Sequence, residues 1–246
     1  YDMEESLWKQ NILSDHNPLS LLRALFYTIG VNFGLRSGDE HRQLTSYNFD
    51  VVEHNTGRKF LRYTEKMSKT FKGGLKDRKY QPREAIAWEN IQDKTRCPVY
   101  LYEKYLSLCP PDITSTSLYL KPRTVSNVAD QKMWYANVPY GRVKLANMVR
   151  DMMQEASING YFTNHSLRVV TATRLFQAGV PDKLVKKQTG HRSSAVETYK
   201  RPCTEQMQNV SDVIQNIKKP KMADGHGDSI VDPATLPVDP DTNQKK

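Results

Sequence analysis

Cysteine is scarce in this 246-residue chain, with Cys97, Cys109 and Cys203 as the whole complement. They stand far apart, without the close pairs that zinc ligands require, so the composition points to a reducing compartment and no structural metal. Long apolar runs are absent too. Nothing approaches the ~18 consecutive apolar residues of a membrane-spanning helix, which excludes a transmembrane reading. Hydrophobic residues make up 38% of the chain and the mean hydropathy is -0.68. That is enough for a core at this length, but it leaves much of the chain facing water or a polar partner. The chain starts at Tyr1 with no charged-then-apolar leader. It reads as a fragment whose upstream part is missing, and not as a secreted precursor.

Negative charge is the next shortage: 27 acidic residues stand against 36 lysines and arginines, for a net +9. Residues 223–246 hold five Asp against two Lys, a charge of -3, which leaves +12 for residues 1–222. Basic residues crowd most over positions 58–83, where Arg58, Lys59, Arg62, Lys66, Lys69, Lys72, Lys76, Arg78, Lys79 and Arg83 face only Glu65 and Asp77. Such a stripe suits a polyanion, although a charge run can also be no more than a solvated face. From Ala223 on, Asp, Pro and Gly without any aromatic residue read as disorder.

Between these extremes the elements are marked by their caps. Asn17 caps, Pro18 takes the first turn, and Leu21, Leu22, Leu25, Phe26, Ile29 and Phe33 recur at helical spacing until Gly34. A short polar helix candidate follows Arg36, with Ser37 as its candidate cap. Residues 46–53 and 58–65 read as extended runs around Asn55-Thr56-Gly57, and a third strand is expected at 67–71 before a turn at Gly73-Gly74. Residues 97–108 and 141–157 are amphipathic helices, the second with Leu145, Met148, Val149, Met152 and Ala156 on one face. Residues 110–140 read as loop with one short strand near 118–120. The expected fold class is therefore mainly α with a small antiparallel β-sheet.

Residues 163–203 are the densest stretch. Asn164 precedes a helix ending at Gly179, Pro181 starts a second ending at Gly190, and Ser193 or Ser194 starts a third. His165 and Arg168 project from one helix face near a positive helix end, where unbonded backbone N–H groups would outline an anion site. His191 follows Gly190, and Tyr199 comes eight residues later with Lys200 and Arg201 behind it. Taken singly these are ordinary, a surface His–Arg pair and a half-buried tyrosine. Together, an imidazole, a guanidinium, a second imidazole and a phenol on consecutive helix ends suit phosphodiester chemistry without a metal. A transferring phosphate also wants a second guanidinium and a donor for the leaving oxygen. Arg36, held rigidly behind the first long helix, and Lys69, inside the basic stripe, are the candidates. Arg36 could instead cap its own helix, and Lys69 could be one of many phosphate-contacting lysines, with Lys66 and Lys72 close by.

This ordered set resembles the tyrosine recombinases. Gly34-Leu35-Arg36 with Leu44 is similar to the family's first-arginine motif, and Lys69 to its hairpin lysine. Asn164-His165-Ser166-Leu167-Arg168, with Ala172-Thr173, Leu175 and Gly179, is similar to its His-x-x-Arg box. Thr189-Gly190-His191 and Tyr199 resemble its Gly-His and nucleophile segments. The wording of GLRSGDEHRQL, SKTFKGGL, NHSLR and TGHRSSAVETYKRP is closer still to the eukaryotic branch, the crypton-type recombinases and the domesticated domains of MYM-type zinc finger proteins. Two spacings depart from the bacterial pattern. Glu40 and Leu44 stand one place farther from Arg36, which makes Asp39 a candidate for the acidic role, and the interval from His191 to Tyr199 is one residue shorter.

The resemblance covers about residues 5–203. It implies a catalytic domain at 1–203, a helix at 204–217 that docks in a neighbouring subunit or folds back on its own, and a basic segment with an acidic tail at 218–246. It implies a Tyr199 nucleophile that forms a 3′-phosphotyrosyl link, with Arg36 and Arg168 on the phosphate, His165 as base, Lys69 as acid and His191 as a donor to the phosphate. A phenol stays protonated at neutral pH, so the base is needed. No metal or other cofactor is implied. Double-stranded DNA is the implied partner, contacted by Arg58, Lys59, Lys66, Lys72, Lys76, Arg78, Lys79, Arg192 and Lys200. The resemblance further implies a homo-oligomer on DNA, no membrane, an upstream DNA-clamping domain, and the nucleus as location, with residues 218–221 as an import signal or a solvated linker. A catalytically silent DNA- or chromatin-binding module and a topoisomerase-like nicking activity remain the alternatives.

Overall fold

A computed structural model describes residues 2–65, 82–111, 117–124, 132–191 and 193–216. After a short helix α1 (Asp2–Lys9) comes the axis of the core, α2 (Pro18–Phe33). Twelve of its sixteen residues are buried, as a helix apolar nearly all round must be. Its start is built locally: Asn17 Oδ1 accepts from the backbone N–H groups of Leu19 and Ser20 at 3.1 and 2.9 Å, and Pro18 sits in the first turn. It stops at Gly34, which adopts a left-handed φ of 54°.

Helix α3 (Gly38–Gln43), capped by Ser37, leads through a 3-10 turn at Ser46–Asn48 into a sheet that, among the described residues, has the strands β1 (Phe49–Glu53), β2 (Lys59–Thr64) and β3 (Glu84–Trp88). The strands pair antiparallel in chain order, with Val51 opposite Leu61 and Leu61 opposite Ala87. A turn at Lys94–Arg96 and helix α4 (Pro98–Ser107) follow, then a two-stranded hairpin of β4 (Leu120–Pro122) and β5 (Tyr135–Pro139). The chain closes with α5 (Arg142–Ala146), α6 (Met148–Glu155), α7 (His165–Gln177), α8 (Asp182–Thr189), a 3-10 turn at Ser194–Tyr199 and α9 (Thr204–Ile214). The described residues up to Cys203 form one compact unit and those from Thr204 another. In the second, α9 carries Met207, Val210, Val213 and Ile214 at helical spacing.

Two clusters position what matters. In the larger, α2 packs on α4 and α7, and the rings of Phe33, Phe49 and Tyr63 meet at centroid distances of 5.3–5.6 Å, fixing the end of α2 against the sheet. The smaller joins Ala172, Val185 and Val196, fully buried, with Leu175, Phe176, Val180 and Tyr199 packed against them. It holds the last 3-10 turn on α7 and α8.

The sequence reading meets three differences. The expected strand at 67–71 lies outside the described residues, and the third strand of the sheet is β3, where small Ala85 and Ala87 fill the buried positions. The stretch 110–140 contains β5 as well as β4. The single helix expected at 141–157 is broken at Asn147, whose φ of -97° and ψ of 5° leave the helical region, although Leu145, Met148, Val149, Met152 and Ala156 all stay buried on one side.

Candidate active site

Three helix ends converge on one place: the C-terminus of α2, the N-terminus of α7 and the C-terminus of α8. Arg36 lies two residues past the α2 cap. Its backbone N–H donates to Glu40 Oε2 at 2.6 Å and its Nε stands 3.3 Å from Glu40 Oε1. Glu40 rather than Asp39 therefore fills the acidic role beside Arg36, because one turn of α3 brings it back over the loop. Asp39 stands 4.0 Å from Arg142.

Arg168, on the first turn of α7, is 2% exposed. Its Nη1 donates to the carbonyls of Gly34 (2.7 Å) and Thr189, and its Nε donates to His191 Nε2 at 3.1 Å. One guanidinium thus ties the α2 end to the α8 end. The close approach explains Gly34 twice over: besides the left-handed φ, a Cβ there would stand 3.2 Å from Thr189. Burial, and then the charges of Arg36 and Arg83, lower the Arg168 pKa to about 10, so it remains a cation at neutral pH.

His165 Nε2 lies 3.0 Å from Tyr199 Oη. The phenol is half-buried on the smaller core, and the His191 ring is 5.4 Å away, centroid to centroid. Burial and the Arg168 charge hold the His165 pKa below its ordinary value. The same causes, with Arg36 and Arg83 added, push His191 down to about 4. Both imidazoles are neutral at pH 7, and with its proton on Nδ1 the His165 ring can accept the tyrosine proton at Nε2. Asn164, next to His165, does not cap α7 with its side chain. Its amide donates to Leu145 O (2.9 Å) and accepts from Val149 N (3.3 Å), anchoring the α7 start to the junction of α5 and α6.

The expected anion site at the α7 N-terminus takes a different form. Ser166 N and Leu167 N already donate to Thr163 O (2.9 Å) and Asn164 O (3.2 Å), so these N–H groups are used by the entry turn.

A third guanidinium, Arg83, was legible only as part of the charge run. It precedes β3 and donates to the carbonyls of Phe33 and Gln188, the last turns of α2 and α8. Gly190, left-handed at φ 70°, lies beneath it, and a Cβ there would stand 2.8 Å from the Arg83 side chain and force it to shift. Arg83, Lys186, Lys187, Gly190 and His191 line a cleft of about 600 Å³ together with Glu65, Pro82 and Glu84.

The structure brings Arg36, His165, Arg168, His191 and Tyr199 together. It does not bring Arg58 and Lys59 to them. Those two stand at the start of β2, at the end away from Arg83, roughly 20–24 Å along the strand at ~3.4 Å per residue. Arg58 stacks on Trp88 and donates to Glu89 O, and Lys59 pairs with Glu103. Lys200 is paired with Asp182 and Glu197 at 2.7 Å each, which straps the residue after Tyr199 to α8. Lys66, Lys69, Lys72, Lys76, Arg78, Lys79 and Arg192 lie outside the described residues. Among the described residues no cluster of His, Cys, Asp and Glu could hold a metal ion, and no helix is long and apolar enough to cross a membrane.

The family model described as "Domain of unknown function (DUF3504)" matches residues 1–154. The chain belongs to the DUF3504 family. This DUF3504 chain is 32% identical over 165 residues to Zinc finger MYM-type protein 3 of Homo sapiens, and 26% identical over 180 residues to Transcriptional regulator QRICH1 of Homo sapiens. Those alignments cover 61% and 66% of the chain but only 12% and 22% of the relatives. Among solved structures, the XerH site-specific recombinase in a post-cleavage complex with its difH substrate superposes with a TM-score of 0.56, at 18% identity, over 87% of this chain and 51% of that one. XerA recombinase superposes with a TM-score of 0.55, at 18% identity, over 89% of this chain and 63% of that one. The fold of this DUF3504 chain is that of a tyrosine recombinase catalytic domain. The DUF3504 match stops before α7, so the His165–Tyr199 half of the site lies beyond the family model.

Proposed function

We propose that the chain is a crypton-type tyrosine recombinase domain that cleaves and rejoins DNA through Tyr199. The observation that carries this reading is the Tyr199 Oη to His165 Nε2 contact of 3.0 Å, made beside two guanidiniums that the fold holds for an anion. Tyr199 Oη attacks a DNA phosphate while its proton passes to His165, forming the 3′-phosphotyrosyl bond as the bond to the 5′-oxygen breaks. Arg36 and Arg168 hold the non-bridging oxygens, where charge grows in the transition state. His191 also faces the phosphate. The resemblance to the tyrosine recombinases gives Lys69 as the donor of the proton to the departing 5′-oxygen. A 5′-hydroxyl from another strand reverses the step and completes an exchange. Double-stranded DNA, self-association on that DNA and a nuclear location belong to this proposal, as does the division of the chain into a catalytic domain at 1–203 and a C-terminal helix.

The test is covalent capture. Incubated with element-end DNA nicked beside the scissile phosphate, the protein should give a covalent protein–DNA adduct that Tyr199→Phe does not form. Absence of adduct from the parent, with DNA binding equal in the two proteins, would favour the second reading: a DNA- or chromatin-binding module without turnover. That reading draws its support from relatives named as zinc finger and transcriptional regulator proteins.

A further inference from the structure

Thr189 sits between all the parts of this site and has no role in the chemistry above. It is the last residue of α8 and wholly buried. Its carbonyl accepts from Arg168, its side chain rests against Gly34, and its Oγ1 lies 2.6 Å from Val185 O and 2.7 Å from His191 Nδ1. A hydroxyl has one proton. A carbonyl can only accept, so that proton goes to Val185 O, and towards His191 the oxygen can only accept. Nδ1 must therefore carry the imidazole proton. The far side of the ring gives the same answer independently: Arg168 Nε can only donate, so His191 Nε2 must be the acceptor across 3.1 Å. The opposite tautomer would set donor against donor at Nε2 and lone pair against lone pair at Nδ1.

We propose that Thr189 is the positioning residue for His191, its hydroxyl fixing the ring orientation and the Nδ1–H tautomer so that Nε2 faces Arg168 and the phosphate site. The tautomer follows from the packing alone, while its consequence for DNA cleavage rests on the strand-transfer reading. In the DNA-free protein Nε2 is a lone pair that holds Arg168 in place. An Nε2–H ring would set a donor against Arg168 Nε and displace that guanidinium, so the tautomer bears on DNA cleavage through the placement of Arg168.

The experiment compares the parent with Thr189→Ser, which keeps the hydroxyl, and Thr189→Val, which keeps the shape. Ring-nitrogen NMR of His191 at neutral pH without DNA should show Nδ1–H in the parent and in Thr189→Ser. In Thr189→Val the tautomer ratio should move towards Nε2–H by roughly tenfold, the scale of one hydrogen bond. Adduct formation should slow by a similar factor in Thr189→Val and be restored in Thr189→Ser. An Nε2–H form in the parent overturns the proposal whether or not any variant folds. So does a folded Thr189→Val with an unchanged ratio, or a Thr189→Ser that behaves like Thr189→Val. A parent that forms no adduct sinks the strand-transfer reading but leaves the NMR result to decide the role of Thr189.

Discussion

Replacing His165 by Gln tests the site at its centre. In the structure Nε2 is 3.0 Å from Tyr199 Oη, inside the range for direct proton transfer, and a positioned general base contributes about 10²–10⁴ in rate, or about 3–5 kcal/mol at 1.36 kcal/mol per tenfold. The active form is the neutral ring. Because burial and Arg168 lower its pKa below 6.5, the acid limb of the parent should be centred below pH 6.5, with unit slope. The assay is the initial rate of adduct formation on nicked DNA from pH 5 to 8, at DNA concentrations low enough that the acid limb reports the free protein. Circular dichroism at each pH keeps unfolding apart from protonation. His165→Gln should be slower by about 10²–10⁴ and should lack the acid limb. A variant within threefold of the parent, or a parent limb centred above 6.5, refutes His165 as the base.

Arg83→Met removes the two carbonyl bonds to Phe33 and Gln188 and should cost about 2–3 kcal/mol in urea unfolding, less than two full charge-assisted bonds because repulsion with Arg36 and Arg168 is relieved. The same substitution removes a charge that depresses His191, whose titration should move up from about 4; a fixed titration would place Arg83 out of electrical reach. His41, stacked on Phe26 at 3.8 Å and bonded to Tyr119 through Nδ1, is wholly buried with a pKa lowered to about 3 by desolvation. Between 6.5 and about 3 the unfolded chain binds a proton that the folded chain refuses, so stability is complete above 6.5 and falls with pH, by about 2 kcal/mol at pH 5. His41→Gln should remove that share of the pH dependence in denaturant titrations at pH 7 and 5, and an unchanged difference would exclude His41 as its source.

What the sequence could show depended on the reach of the signal. Asn17, Pro18 and Gly34 bound α2 through bonds spanning a few residues, and the punctuation of residues 163–203 is equally local, so these were legible. Strand β3 was not, because Ala85 and Ala87 give a weak apolar alternation and its partner lies across the chain segment 66–81. Arg83 reads as one more cation in a basic run, since its role comes from carbonyls 50 and 105 positions away. Glu40 had the right type, but α3 had to be built before it could be preferred to Asp39. Thr189 could have been found: a threonine in the last helical turn bonds back to the carbonyl four residues earlier, and its oxygen then has only lone pairs left for the histidine two places on.

The electrostatics of the site also say why an anion, and not a helix terminus, completes it. After burial, the Arg36 charge lowers the pKa of Arg83, and the charges of Arg36 and Arg83 lower those of Arg168 and His191; within the protein the guanidinium charge is met by Glu40 and by the carbonyls of Phe33, Gly34, Gln188 and Thr189. Those carbonyls are the negative ends of α2 and α8, which favour cations. They hold the guanidiniums in place without neutralising them. The N–H groups of Ser166 and Leu167, which would otherwise compete for a phosphate, are spent on Thr163 and Asn164. In the strand-transfer proposal, a phosphate entering here gains its stabilisation from Arg36 and Arg168, at the point where His165 faces Tyr199. The proposal gives that coincidence a use: phosphate contacts along a groove would serve a module needed only for binding, whereas a phenol aligned on a neutral imidazole beside two guanidiniums suits a phenol that attacks.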